Sequence, residues 1–149
     1  HSAMRSQTMK LLAGCRWAAA FSAMVMCLAP QQAAAAGKYD GSAPMICGAM
    51  VVTECGAEGR CRRRTAEAVN LPSLFRVDAK VMKVHNLEAG KDRESPIKNV
   101  EHMNGKMLLQ GAEGDRGWTI VIHEDNGKMS GTVSADGEGF VIFGQCALP

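Results

Sequence analysis

Residues 37–149 predict an all-β fold, a small antiparallel up-and-down β-barrel of eight or nine short strands with two disulfides. Three observations support this prediction. The apolar residues occur in short runs between Gly, Asn, Asp and Pro rather than at helical spacing, which is typical of strands joined by turns. Two Asn-Gly pairs separate such runs, and four cysteines fall in this part of the chain. A β-sandwich is the alternative arrangement of the same strands.

The first 36 residues differ in composition from the rest of the chain. Residues 1–3 precede the first methionine and are typical of a tag remnant. A positively charged start, the uncharged run 17–28 and the small residues 33–36 then follow in the order of a cleavable export signal. The uncharged run has 12 residues, whereas about 20 are needed to cross a bilayer. We therefore predict a signal peptide over residues 4–36, cleaved near Ala36.

A lipoprotein signal is the alternative for this leader, because residues 11–15 (LLAGC) spell a lipidation motif ending at Cys15. The apolar run follows Cys15 instead of preceding it, so a lipoprotein signal would have almost no hydrophobic core. The export signal is preferred, and it predicts one domain over residues 37–149, periplasmic or secreted, without a membrane span. We expect this domain to be a monomer or a weak dimer.

The charge balance changes when the leader is removed. The whole chain has 17 Lys and Arg against 15 Asp and Glu, but three of the cations and none of the acids precede residue 37. The remainder carries 14 cations against 15 acids, a formal charge of −1. A general electrostatic attraction to nucleic acid is therefore not expected.

The four cysteines after residue 36 predict two disulfides in an oxidising compartment. A bond between Cys47 and Cys55 is disfavoured if both lie on one strand, because eight extended residues span about 26 Å and bonded Cα atoms lie about 6 Å apart. The preferred pairing is Cys55 with Cys61 and Cys47 with Cys146. The pairing of Cys47 with Cys61 and Cys55 with Cys146 remains the alternative.

The strands are predicted from nine short runs, at 45–53, 65–69, 74–79, 81–85, 97–103, 106–110, 118–123, 129–134 and 140–146. Residues 37–44 precede them as a polar entry segment that we expect to be mobile. The second run is also compatible with a short helical turn, since Leu71-Pro72 follows it. Asn104-Gly105 and Asn126-Gly127 predict type I′ hairpin turns. Looser turns at 111–117 and 135–139 complete a five-stranded meander from residue 97 onward.

Alternation along these runs predicts one buried face. The predicted inward residues share a period of two and are Phe75, Val77, Ala79, Trp118, Ile120, Ile122, Met129, Gly131 and Val133. Residues 140–143 are apolar on both faces, so we expect the last strand to be central or to close the structure. A bond between Cys47 and Cys146 suits closure, because it places the first and last strands side by side.

The inventory of catalytic groups is poor. Pairing the four cysteines leaves no free thiol in this part of the chain, and no G-x-S-x-G elbow is present. His123-Glu124 begins like a zinc-protease helix, but a turn sequence follows it. The acidic pairs lie in glycine-rich turns, where burial cannot raise a carboxyl pKa. We therefore predict a protein that is not an enzyme and that uses no cofactor.

Two features suggest ligands. Six methionines follow residue 36, and His102, Met103 and Met107 flank the Asn104-Gly105 turn. Thioether and imidazole ligands together suit copper. The competing interpretation is that methionine fills irregular gaps in a small core.

The second feature is the run Arg60-Cys61-Arg62-Arg63-Arg64. On a strand, Arg60, Arg62 and Arg64 share one face and Arg63 lies on the other. Such a cluster is suited to binding a carboxylate, a phosphate or an acidic partner. The competing interpretation is a solvated edge strand whose charges discourage aggregation.

These observations favour a non-catalytic exported β-barrel that binds either a small ligand in its interior or an envelope protein on its rim. The alternative function is a copper-handling protein of the cell envelope that uses Met and His. Neither hypothesis involves nucleic acid.

Overall fold

The computed structural model describes residues 37–149, so the predicted tag remnant, signal peptide and lipidation motif lie outside the described residues. Nine strands are present: β1 (Met45–Gly56), β2 (Cys61–Arg64), β3 (Leu74–Asp78), β4 (Lys83–Asn86), β5 (Glu94–Met103), β6 (Lys106–Glu113), β7 (Arg116–His123), β8 (Lys128–Ala135) and β9 (Glu138–Ala147). A single-turn 3-10 helix (Glu67–Val69) lies between β2 and β3. Within this part of the chain, no helix is long and apolar enough to cross a membrane.

Eight strands close into an antiparallel barrel in the order β1, β3, β4, β5, β6, β7, β8, β9 and back to β1. β1 makes closure possible because it is long. Its first half pairs with β3, its second half pairs with β2, and its other edge pairs with β9. A bulge between Ala49 and Val51 separates the two halves. The predicted barrel is confirmed over the alternative sandwich, with β2 as an extra strand outside the ring.

Both disulfides join residues that face each other across a strand pair. Cys47 lies opposite Cys146 between β1 and β9, and Cys55 lies opposite Cys61 between β1 and β2. The first closes a sequence separation of 99 and the second a separation of 6. The preferred pairing is confirmed and the alternative pairing is wrong. The bond from Cys47 to Cys146 ties the strands that close the barrel.

Alternation places apolar side chains inside as predicted. On β8, Met129, Gly131 and Val133 are buried while Ser130 and Thr132 are exposed. The same pattern holds on β3 and β9, where the inward set continues to Cys146. Outward residues such as Val141 and Phe143 stay exposed on β9, so apolar character on both faces of this strand marks closure of the ring rather than burial of both faces.

One of the two Asn-Gly turns differs from its prediction. Asn104 and Gly105 both have positive φ (49° and 70°), as a two-residue type I′ turn requires. At the second pair only Gly127 has positive φ (71°), and four residues join β7 to β8. Glycine is needed there for contact as well, since a Cβ would lie 2.6 Å from the carbonyl oxygen of Cys146 and 2.8 Å from the Tyr39 ring.

Two segments, residues 65–69 and residues 37–44, differ from what the sequence analysis expected. The run 65–69 is not a strand, because it contains the 3-10 helix Glu67–Val69, and the alternative of a short helical turn is confirmed. β2 forms over the arginine run, which the sequence analysis considered as an edge strand. Residues 37–44, expected as a polar entry segment, pack across one end of the barrel. Backbone N–H of Tyr39 donates to the carbonyl of Glu124 at 2.9 Å, and Gly41 lies against the thioether of Met107.

The barrel therefore has two unlike ends. The closed end is the one covered by residues 37–44, and the disulfide from Cys47 to Cys146 and the fully buried Met107 and Ile122 lie toward it. The lid end is the opposite one, where residues 65–73, called the lid, cross the mouth between β2 and β3. The lid contributes Ala66, Val69 and Leu71 to a second apolar cluster with Val52, Val133 and Phe140.

Candidate functional site

A cavity of about 90 Å³ lies inside the barrel beneath the lid. Its apolar walls come from β1, β3, β4 and from β7 to β9, and its roof is Leu71-Pro72 of the lid. The apolar lining residues are Ala49, Leu71, Pro72, Phe75, Val84, Trp118, Ile120, Met129, Val133 and Ile142. The polar groups that line it, including Arg93, Ser95, Glu113 and Arg116, come from β5, β6, β7 and the loop before β5. The cavity is thus apolar over most of its surface and charged at its mouth.

Three neighbouring strands carry this gradient from the barrel floor to the mouth. Inward positions on β5 run from Ile97 through Ser95 and continue to Arg93 just before the strand. On β6 they run from Leu109 through Gly111 to Glu113, and on β7 from Ile120 through Trp118 to Arg116. Each series starts with an aliphatic side chain and ends with a charged one. A molecule in the cavity would therefore meet apolar surface first and polar groups toward the mouth.

The cavity exists because inward side chains near the lid do not fill the barrel. Ile120, Ile142 and Ala49 face inward but keep part of their surface accessible, whereas Ile122, two residues along from Ile120, is fully buried. Gly131 contributes no side chain to the wall. A Cβ there would lie 3.2 Å from the carbonyl oxygen of Thr119. Packing therefore changes from tight to incomplete within one strand.

The indole of Trp118 fits into the barrel because the residue opposite it is a glycine. Trp118 pairs with Gly111 across β6 and β7, and a Cβ on Gly111 would collide with the indole ring and with the carbonyl of Pro96. The indole therefore lies flat over the glycine backbone, a packing that only glycine allows. Its Nε1–H donates to the Oγ of Ser95 at 2.8 Å.

Ser95 is the buried polar group of the site, with 8% of its surface exposed. Its oxygen accepts the Trp118 hydrogen bond, which is the one side-chain hydrogen bond of Ser95 within residues 37–149. Ser95 and Lys98 also match the S-x-x-K spacing of some acyl-transfer enzymes. On β5 they lie on opposite faces, Ser95 inside and Lys98 exposed outside, so they form no serine–lysine pair.

Two arginines at the mouth hold the lid. The guanidinium of Arg93 donates to the carbonyl of Asn70 at 3.1 Å and also pairs with Glu113. The guanidinium of Arg116 donates to the carbonyl of Val69 at 3.0 Å, lies 3.6 Å from Glu138 and stacks over Phe140. These contacts add to the apolar packing of Ala66, Val69 and Leu71 in holding the lid over the mouth.

Glu88 fastens the end of the lid at Ser73. Its Oε1 accepts from the Ser73 hydroxyl at 2.5 Å and from the Ser73 N–H at 3.3 Å, and Lys91 lies 3.1 Å from its other oxygen. These hydrogen bonds lower the pKa of Glu88 from 4.5 to about 2, with Ser73 as the main cause. The carbonyl of Ser73 in turn accepts from the N–H of Ala49 on β1, which joins the lid to the cavity wall.

The predicted arginine cluster pairs mostly with its own neighbours. Arg62 donates to Glu54 at 2.9 Å, Arg64 lies 3.4 Å from the same carboxylate, and Arg60 lies 3.4 Å from Glu58. The hydrogen bond from Arg62 lowers the pKa of Glu54. Two carboxylates thus already bind the three arginines that the sequence nominates, which weakens the case for an anion site there.

The face assignment within this cluster is correct for β2. Arg62 and Arg64 lie opposite Glu54 and Val52 of β1, and Arg63 lies between them on the other face, opposite Thr53. Arg60 precedes the strand. Binding of an anionic partner by Arg60, Arg62 and Arg64 stays a prediction.

The three candidate copper ligands do not face a common point. His102 lies opposite Met107 across the β5–β6 hairpin, and Met103 lies opposite Lys106 on the other face. Met107 is fully buried in the core while Met103 is 49% exposed. The Nδ1 of His102 lies 2.6 Å from Glu124. No group of three or more His, Cys, Asp or Glu side chains within residues 37–149 is arranged to hold a metal ion.

Comparisons of the chain with protein-family models, with curated proteins and with solved structures find no match. The function is therefore inferred from the geometry of the barrel itself. Sequence reasoning missed Ser95, Arg93 and Arg116. The sequence signal that could have found Arg116 is the alternation of Ile120 and Trp118 on β7, because one more step of two residues along the strand reaches Arg116.

Proposed function

We propose that this protein is a non-catalytic, exported binding module that holds a small, mainly apolar ligand inside its barrel. The observation that carries the proposal is the cavity beneath the lid, whose inward apolar side chains keep accessible surface. Apolar concave sites with a few placed polar groups are typical of ligand sites. The disulfides fit an oxidising compartment.

The accessible apolar surface of the cavity supports a ligand. Gly131 and Ala49 bring little or no side chain to the wall, and Ile120 keeps part of its surface accessible. Removing apolar surface from water is favourable by about 25 cal/mol per Å². An apolar molecule bound against this wall would cover that surface.

The size of the cavity limits the ligand. An engineered cavity of about 150 Å³ binds benzene or xenon, and this one is smaller at about 90 Å³. The ligand, or the part of it that enters, is therefore the size of a small ring or short chain. We take the lid end as the route of entry, because the polar mouth of the cavity, with Arg93 and Arg116, lies there.

Xenon tests the cavity directly. NMR spectra of isoleucine methyl groups in the full chain should show saturable shifts of Ile120 and Ile142 under xenon pressure, and Ile122 should not move. Ala49→Leu places three added carbons at the cavity wall and should abolish the shifts. Ala112→Leu, on the exposed outer face of β6, is the matched control and should leave them unchanged.

Equal or unsaturable shifts at all three isoleucines would show that no discrete site exists and would overturn the proposal. No specific contact favours the copper alternative. It stays a prediction, which metal analysis of the purified protein would test. A protein partner on the rim also stays a prediction.

A further inference from the structure

We propose that the natural ligand carries one hydrogen-bond acceptor oxygen on its apolar body, and that the hydroxyl of Ser95 donates to it. This inference rests on the proposed function and names the chemical class of the ligand. Small ketones, esters, ethers and alcohols belong to that class, and pure hydrocarbons do not.

The first argument is the hydrogen-bond balance of Ser95. A hydroxyl has one donor and two acceptor sites. The Nε1–H of Trp118 occupies one acceptor site at 2.8 Å, and this is the one side-chain hydrogen bond of Ser95 within residues 37–149, so the hydroxyl keeps its donor for a further partner. Ser95 is 8% exposed. Leaving a buried donor without a partner is unfavourable, so this position is suited to a ligand that supplies the missing acceptor.

The second argument is the direction that remains for that donor. The indole of Trp118 is held against Gly111 and approaches Ser95 from β7. Val84 lies beside Ser95 on β4 and offers no side-chain acceptor. Ser95 and Val84 both line the cavity, so the open side of the hydroxyl is the cavity itself.

The third argument is the depth of Ser95 in the polarity gradient. Ser95 lies between Ile97, which is buried, and Arg93 at the mouth. A ligand with its apolar body against Ile120 and Ile142 would bring an oxygen at its upper end level with Ser95. Trp118 fixes the serine oxygen without using its proton, so the donor is positioned before the ligand arrives.

A matched pair of probes separates this inference from the proposed function. Acetone and isobutene, each with four heavy atoms, have nearly the same shape, and only the ketone has an acceptor. Their affinities for the full chain are measured by NMR shifts of the Ile120 and Ile142 methyl groups, in the wild type and in Ser95→Ala. We expect Ser95→Ala to weaken ketone binding about threefold to tenfold, the effect of one net hydrogen bond. Alkene binding should change by less than about twofold.

Ser95→Ala also removes the partner of the Trp118 N–H, so a second variant isolates the donor. Trp118→Phe removes the indole N–H and keeps the serine. Trp118→Phe should change the ketone and alkene affinities by the same factor. Adding Ser95→Ala to this variant should still weaken ketone binding and leave alkene binding nearly unchanged. Equal effects of Ser95→Ala on ketone and alkene would overturn the inference while leaving the proposed function intact. The same holds if xenon and the alkene bind and the ketone does not. Absence of all binding, xenon included, would overturn both.

Discussion

The two ends of this barrel are built from the same strands but are held together by different forces. At the closed end the inward side chains fill the interior, as the fully buried Met107 and Ile122 show, and a disulfide joins the closing strands. At the lid end the inward side chains leave a cavity, and hydrogen bonds from Arg93 and Arg116 supplement the apolar packing of the lid. The difference indicates that one end is held mainly by a packed core and a disulfide, and the other by a smaller cluster and polar contacts.

The disulfides should show the largest contrast between the ends. Replacing Cys47 and Cys146 together by alanine opens a loop of 99 residues and should lower the free energy of unfolding by about 4–5 kcal/mol. Replacing Cys55 and Cys61 together by alanine opens a loop with a sequence separation of 6 and should lower the free energy of unfolding by about 2 kcal/mol. Urea denaturation measures both. Equal losses would contradict the view that closure of the barrel dominates stability.

Two isoleucines on β7 offer a closer comparison. Ile122→Ala at the packed end should lower the free energy of unfolding by about 3–5 kcal/mol, since it creates a new void. Ile120→Ala, two residues along, should cost about 1–2 kcal/mol because this side chain already borders the cavity. Ile120→Ala should also admit benzene, measured by methyl shifts of Ile142. Similar costs at both positions would mean that the cavity walls are as tightly packed as the closed end.

The lid should respond to loss of one arginine without loss of the barrel. Arg116→Met removes the hydrogen bond to the Val69 carbonyl and should weaken the lid by about 1 kcal/mol. Native-state hydrogen exchange should then be about fivefold faster at the amides of Val69 and Leu71 and unchanged at Ile122. Arg76→Met, on the exposed face of β3, is the matched control. Faster exchange at Ile122 as well would show that lid and barrel open together.

Acid should loosen the lid end through Glu88, and this is the smallest effect. Its folded pKa of about 2 lies below the ordinary value of 4.5, so its carboxylate stabilises the fold above pH 4.5. That contribution is lost as the pH falls from 4.5 through about 2. Glu88→Gln should therefore be less stable than the wild type at pH 6, and the difference should shrink toward pH 2. Charges at Lys91 and Glu67 are common to both proteins and cancel in this comparison. A difference that is constant with pH would contradict the role of Glu88.

Sequence patterns predicted more of the closed end than of the lid end. Alternation identified Ile122 and Met129 as inward residues, because a period of two is a local quantity. Cysteine reach disfavoured a bond between Cys47 and Cys55 and left two pairings, of which the preferred one is observed. The conformation of the lid was harder to predict, because the apolar pattern of residues 65–69 suits either a short strand or a turn. Their helical conformation depends on Ala66 and Val69 packing against Val52 and Phe140, which lie far away in sequence.

The sequence by itself determined an all-β domain of short strands and favoured a barrel with these two disulfides, because strand period, turn chemistry and cysteine reach are each encoded within a few residues. Only the tertiary structure decided where the barrel is hollow. Trp118 and Ile120 have the same alternation as Ile122, yet the space beside them depends on Gly111, Gly131 and Ala49 from three other strands. The Ser95 hydroxyl is held in place only because Trp118, from a different strand, donates a hydrogen bond to its oxygen. A cavity forms where side chains that are distant in sequence are together too small to fill the interior, and a local sequence pattern does not contain that information.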